Sequence, residues 1–317
     1  MAKQSKTFYV LRILVAVLII IGGGLWLVKT QQTALEKVLK VLPKFSLNCI
    51  VLVIFLDCLQ IFFMSLRFWL LYPKNHRTRA RNVFAAMSIG QTMNAFLPAR
   101  AGDFYKIATL APKPPVPDFN MLTLTGILTA DKMVDLVSFL VLVFAFGSYK
   151  ENPDSLSSLK SFNWKYILLA IVIFGAGWQF FLRKQIGKLA VWITQFLKGL
   201  KSLLSPGQLF LALMMAVFVW LVEASALVQL SQYQGYSLSI AQSFFVLTVL
   251  NLAIAVPISV ANIGPFEASI AFALGKFGMP LEVALAIATV HHGLQVIAYM
   301  ISGAIGWILR KKTFNPS

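Results

Sequence analysis

The chain has 317 residues, of which 58% are hydrophobic and 12% charged, with a formal net charge of +17 and a mean hydropathy of +0.77. A soluble domain needs more polar surface than this to face water, so the composition excludes a water-soluble globular protein. The positive charge does not point to nucleic acid. Lys and Arg stand in short clusters between apolar runs, as juxtamembrane anchors do.

Apolar runs of about twenty residues recur along the chain, each long enough to cross roughly 30 Å of hydrocarbon as a helix. The first, 8–28, follows Lys3 and Lys6 and ends at Trp26 and Lys29. It lacks a small-residue cleavage site and reads as an uncleaved span rather than a signal peptide. A weak amphipathic pattern through Leu35, Val38, Leu39 and Leu42 occupies 33–44. The next span, 46–71, holds both cysteines. Along one helix Cys49 and Cys58 stand about 13 Å apart, too far for a disulfide.

The stretch 83–110 is apolar but interrupted by Pro98, Arg100, Gly102 and Asp103. Spans 120–147 and 164–182 follow. In 185–204, Ile186, Leu189, Ile193, Phe196, Leu197 and Leu200 fall at helical spacing with Lys188, Lys198 and Lys201 beside them. That pattern suits a helix lying in the cytoplasmic interface against anionic lipid, or a surface helix that merely joins two spans. Span 207–230 comes next, then the stretch 241–275, interrupted by Pro257, Asn262, Gly264, Pro265 and Glu267, and finally span 281–309.

Proline removes a helix donor and clashes with the preceding turn. Non-helical backbone survives at membrane depth only inside protein or beside a wet cavity. Each interrupted stretch is therefore read as two half-helices that enter the membrane and turn back. With a cytoplasmic N-terminus, this places the clusters Lys74–Arg81, Arg183–Lys201 and Arg310–Lys312 on the cytoplasmic side, as the positive-inside rule requires. Both termini are then cytoplasmic. The expectation is a single all-α polytopic membrane domain over 1–317, with about six full transmembrane helices and two re-entrant half-helix pairs.

Two units of opposite orientation emerge, about 46–147 and 207–309, with 8–28 and 164–182 as extra spans. Each runs span, broken pair, span. Inverted repeats with Gly/Pro interruptions at corresponding positions point to a transporter's binding site.

Of the eleven acidic residues, Asp57, Asp103, Asp131, Asp135, Glu223 and Glu267 fall inside apolar stretches. A charge at the bilayer centre costs about 2.5–3.5 kcal/mol on insertion scales, so each needs a partner, water or a role. Asn94, Arg100, Asp103 and Lys106 cluster at the first break. There the Arg100 guanidinium suits a phosphate or carboxylate; a structural Arg100–Asp103 pair fixing the turn is the alternative. At the second break Pro265 fits a first helical turn, with Asn262 as N-cap and Glu267 near the positive end. A helix start accounts for these residues, and a ligand site matching the first break does so equally. Asp131, Lys132 and Asp135 form either a buried ion network pinning their span to the broken segment or a relay. His291 and His292 titrate near neutral pH when unperturbed. Glu223 and Asp57 stand alone in the sequence and are expected to be hydrogen-bonded between helices.

No nucleophile elbow, phosphate loop, His-Glu-x-x-His or dinucleotide turn occurs, so no enzymatic activity and no cofactor are expected. With no cysteine and no carboxylate at ligand spacing beside His291-His292, no metal is expected either.

The residues Asn94…Leu97-Pro98-Ala-Arg100-Ala-Gly102-Asp103, Asp131-Lys132-Met133-Val134-Asp135 and Asn262-Ile-Gly264-Pro265-Phe266-Glu267, followed by Gly278-Met-Pro280, carry a family resemblance. Together they resemble the membrane region of lysylphosphatidylglycerol synthases and its stand-alone relatives, over about residues 10–310. The family pattern usually has an acidic residue, often Glu, where Asp103 stands, an acidic–Arg pair followed by Asp where Asp131, Lys132 and Asp135 stand, and often Gly-Gly-x-Gly where this chain reads Val260-Ala-Asn-Ile-Gly264. The resemblance implies a flippase-like domain in the cytoplasmic (inner) membrane of a prokaryote. In the bifunctional relatives this region moves aminoacylated phosphatidylglycerol between leaflets, and a cytosolic aminoacyl transferase domain follows it. That domain is not expected in this chain, which ends at Ser317.

The leading expectation is a translocase for a membrane phospholipid or lipid-linked headgroup. Arg100 and Lys106 would meet the phosphate, and Asp103 and Glu267 would balance charge or meet a cationic headgroup. The alternatives are a secondary transporter of a small anionic solute and a non-transporting scaffold for lipid or envelope enzymes.

Overall fold

The computed structural model describes residues 45–97, 100–112, 116, 119–147, 186–201, 205–255 and 262–314. The expected spans 8–28 and 164–182, the segment 33–44, and Pro98 and Pro257 lie outside the described residues. Among the described residues the secondary structure is helical apart from an isolated bridge between Val116 and Phe119. We number the α-helices in chain order: α1 Leu47–Leu70, α2 Ala80–Phe96, α3 Ala101–Leu110, α4 Met121–Gly147, α5 Ile186–Leu200, α6 Pro206–Tyr233, α7 Ile240–Ile254, α8 Pro265–Gly275 and α9 Leu281–Phe314.

Among the described residues, three helices are long and apolar enough to cross a membrane: Leu47–Leu70, Pro206–Tyr233 and Leu281–Arg310. Large apolar side chains face outward on them, including Val51, Phe55, Phe62, Phe210, Phe218, Ile301 and Ile308. Soluble monomers rarely leave so much contiguous apolar surface in water. The protein is a multi-pass membrane protein. Helix α4 has 27 residues, and its centre carries Asp131, Lys132 and Asp135.

The sequence dictates both breaks locally. Helix α2 stops at Phe96 because Leu97 precedes Pro98, and a residue before proline avoids the helical region. Leu97 is indeed extended, at φ −106° and ψ 141°. Arg100 then takes a left-handed conformation, φ 52° and ψ 43°, and α3 begins. In the second break Asn262 is also left-handed, at φ 59°, and Gly264 at φ 95° leads into Pro265. Each break thus holds one non-glycine residue in a region that L-residues seldom visit. The N-cap of α8 is Gly264, not the expected Asn262. At 10 and 11 residues, α3 and α8 span about 15–17 Å each and cannot cross the hydrocarbon alone.

The packing is symmetric under exchange of two sets of four helices: α1, α2, α3, α4 and α6, α7, α8, α9. Helix α1 packs on α6, α2 on α9 and α7 on α4. The pairs α2–α3 and α7–α8, α8–α9 and α3–α4, and α1–α9 and α6–α4 are likewise related. Helices α1 and α6 run antiparallel. Gln60 near the middle of α1 meets Glu223 far along α6, whereas Leu70 at the end of α1 meets Gln208 at the start of α6. Small residues permit the tightest crossings: a Cβ on Gly303 of α9 would lie 2.3 Å from Thr92 Oγ1 of α2. The amphipathic α5 is seated on α4 through Gly199 and Gly126, each backed directly by the other helix's backbone.

Candidate functional site

A cavity of about 280 Å³ lies between the two breaks. The first half of the chain contributes Gln60 from α1, Gln91 and Asn94 from α2, Arg100 at the break, Asp103 from α3 and Lys132 from α4. The second half contributes Trp220 and Glu223 from α6, Asn251 from α7, Asn262 at the break, Phe266 from α8, and His292, Gln295 and Tyr299 from α9. Both left-handed residues, Arg100 and Asn262, therefore stand on its wall.

Asp103 holds the first break together. Its Oδ1 accepts from Lys106 Nζ at 2.8 Å and from Asn94 Nδ2 at 3.1 Å, and Lys106 also donates to Gln91 Oε1 at 2.9 Å. The Asp103 partner is therefore Lys106, not Arg100 as the turn-fixing alternative supposed. Lys106 is buried between α2 and α3 and does not line the cavity. Arg100 forms no ion pair among the described residues and is exposed at the cavity wall. Its guanidinium is available to a ligand, while the ammonium of Lys106 is committed.

Asp131 and Asp135, one helical turn apart, are held by Arg67 of α1. Arg67 Nε lies 2.7 Å from Asp131 Oδ1, Nη2 3.1 Å from Asp131 Oδ2, and Nη1 2.5 Å from Asp135 Oδ1. The network thus pins α4 to α1 and not to the broken segment. Lys132, between them in sequence, turns the other way and lines the cavity. In the sequence Arg67 carries no sign of this role, because so close to the cluster Lys74–Arg81 it resembles one more juxtamembrane anchor.

Glu267 is likewise committed to structure. Its Oε2 accepts the Gly264 N–H at 2.7 Å at the start of α8, and its Oε1 lies 2.7 Å from His292 Nδ1 of α9. A carboxylate only accepts, so His292 donates through Nδ1–H. The imidazole also stacks on Phe266, with ring centroids 4.2 Å apart. His292 and Phe266 line the cavity, and Glu267 sits behind them. Glu267→Ala removes the acceptor of both bonds and is expected to loosen the start of α8 by about 1–2 kcal/mol. Hydrogen exchange should then show the first-turn amides of α8 exchanging at least fivefold faster, on the order of 1 kcal/mol.

Glu223 is hydrogen-bonded between helices, as expected. It accepts from Gln60 Nε2 of α1 at 2.5 Å and from Gln295 Nε2 of α9 at 3.4 Å. His291 of α9, fully buried, brings Nε2 to 3.4 Å from Glu223 Oε1. Asp57 departs from the expectation: it is buried, and neither of its carboxylate oxygens has a hydrogen-bond partner among the described residues.

The motifs quoted above and the paired breaks agree with the comparison to known families. The lysylphosphatidylglycerol synthase transmembrane region matches residues 13–303. The chain belongs to this family. No curated protein and no solved structure matches it. Within the family's matched region lie both breaks, the Arg67–Asp131–Asp135 network and every residue on the cavity wall. Membership supports a role connected with membrane lipid.

Proposed function

We propose that the protein moves a phospholipid or lipid-linked headgroup across the cytoplasmic membrane of a prokaryote without catalysing a covalent reaction. The observation that carries this reading is the neighbour of the polar cavity. An apolar groove of about 380 Å³ runs between α2 and α9, lined by Ile89, Met93, Phe96, Leu97, Met300, Ala304 and Trp307 among others. Leu97, at the first break, lines both the groove and the cavity. A headgroup in the cavity could keep an acyl chain in that groove, whereas a small solute has no use for it.

The cavity wall carries both signs of charge. Arg100 and Lys132 suit a phosphate, and Asp103 suits a cationic group such as the amine of an aminoacylated lipid. The family's own description, a lysylphosphatidylglycerol synthase region, is in keeping with such a headgroup. The exchange-symmetric packing and the antiparallel α1–α6 pair support two inverted units. The short α3 and α8 support re-entrant pairs; on the proposed topology these meet the cavity from opposite leaflets and both termini are cytoplasmic.

Transbilayer movement of a fluorescent phosphatidylglycerol in proteoliposomes tests the proposal. Arg100→Gly keeps the left-handed backbone without its steric penalty, so folding should survive while transport falls at least tenfold, on the order of one charged contact. Ala304→Trp fills the groove and leaves the polar wall intact; transport of lipid should fall with it. Full transport by both variants, correctly folded and inserted, would refute the site.

A further inference from the structure

Asp57 of α1, Glu223 of α6 and His291 of α9 come from three helices and lie outside the proposed headgroup contacts. One ligand atom from each lies within 4.8 Å of the others, and all three side chains are buried. Among the described residues no Lys or Arg ion-pairs with either carboxylate. Asp57 is 1% exposed, with both oxygens unpartnered, and His291 is 0% exposed, with neither nitrogen in a hydrogen bond. Buried charges are ordinarily paired or coordinate a metal. Here Asp57 has no protein partner, and His291 meets Glu223 only through the 3.4 Å approach of Nε2 to Oε1, short of a hydrogen bond.

We propose that Asp57, Glu223 and His291 bind one divalent transition-metal ion, with zinc as the type case. Two carboxylates balance its two positive charges, so the loaded site adds no net charge to the membrane interior. The imidazole selects the class: calcium and magnesium take oxygen ligands, whereas a mixed imidazole–carboxylate set suits zinc, manganese or cobalt. The outer shell is already in place, since Gln60 and Gln295 donate to Glu223 and orient its carboxylate. Glu223, Gln60 and Gln295 stand on the cavity wall, so the cluster adjoins the cavity through Glu223. The ion would tie α1, α6 and α9 together beside the headgroup cavity.

Tag-free protein in detergent, stripped with chelator and dialysed against Zn²⁺ or Co²⁺, tests this without any transport assay. Elemental analysis should find one ion per chain, Zn²⁺ should raise the thermal midpoint, and the Co²⁺ form should show visible ligand-field absorption. Asp57→Asn and His291→Gln should lose stoichiometric binding, and Gln60→Ala should weaken it about 10–100-fold. His76→Gln, a histidine stacked on Phe119 and outside the cluster, should bind as the parent does. Should a ligand variant not fold, pulsed EPR of the Mn²⁺-loaded parent decides, by showing or lacking nitrogen coupling from one imidazole. No bound ion in the parent, no nitrogen coupling, or undiminished binding in folded Asp57→Asn and His291→Gln overturns the site.

Discussion

Arg67→Ala is expected to leave the protein largely unrecoverable in folded form. The guanidinium is fully buried and makes three charge-assisted bonds to Asp131 and Asp135. Its removal strands two carboxylates, one of them with no exposed surface at all. Breaking a buried pair from one side costs about 3–5 kcal/mol, and here two acceptors lose their partner together. Such a loss is comparable to the whole stability of many domains, about 5–15 kcal/mol. Arg67→Lys should recover only part of it, because a single ammonium cannot serve Asp131 bidentately and reach Asp135 as the planar fork does. The triple variant Arg67→Met, Asp131→Asn, Asp135→Asn should fold better than Arg67→Ala, since no charge is then stranded. Thermal unfolding followed by size-exclusion chromatography ranks the four proteins. Parent-like stability in Arg67→Ala would mean that α4 is not held to α1 by this network.

Gly102→Ala is expected to be nearly as damaging, for a steric reason. A Cβ at Gly102 would lie 1.8 Å from the Gly90 carbonyl oxygen and 2.6 Å from Asn94 Oδ1. The nearer atom is backbone and cannot rotate away, so α3 must move off α2. Overpacking costs about 1–3 kcal/mol and occasionally more; a backbone-to-backbone contact belongs at the upper end. The displacement also draws Asp103 and Lys106 away from Gln91 and Asn94 and reshapes the cavity beside Arg100. Gly207→Ala is the control. Nothing lies within 4 Å of a Cβ there, and alanine's helix propensity favours the change by up to about 1 kcal/mol. A small drop in thermal midpoint for Gly102→Ala, with transport intact, would show that the α2–α3 crossing relaxes freely.

The two breaks were legible in the sequence because proline and glycine act within a few residues of where they stand. Pro98 sets Leu97 extended, and Pro265 opens α8, whatever else the chain does. Arg100 and Asp103 were legible as a constellation for the same reason. The roles of their neighbours were not. Lys106 and Glu267 read as ligand-facing charges, but the lysine is buried between α2 and α3 and the glutamate sits behind His292. Helical phase places a side chain on a face. It does not say which helix that face meets.

The sequence by itself determined the membrane class, the helical segments within reach of the described residues, and the positions of the two interruptions. These follow from hydropathy, proline geometry and capping, all local. Only the tertiary structure decided who partners whom. Arg67 was matched to Asp131 and Asp135 across 64 and 68 residues, Gln60 to Glu223 across 163, and Asp57 was brought to Glu223 and His291. The tertiary structure likewise set the close α2–α3 and α2–α9 crossings at Gly90, Gly102 and Gly303, where the absence of a side chain lets helices approach. In a membrane, where apolar contact discriminates weakly between neighbouring helices, those close crossings and buried charges carry the specificity of the fold.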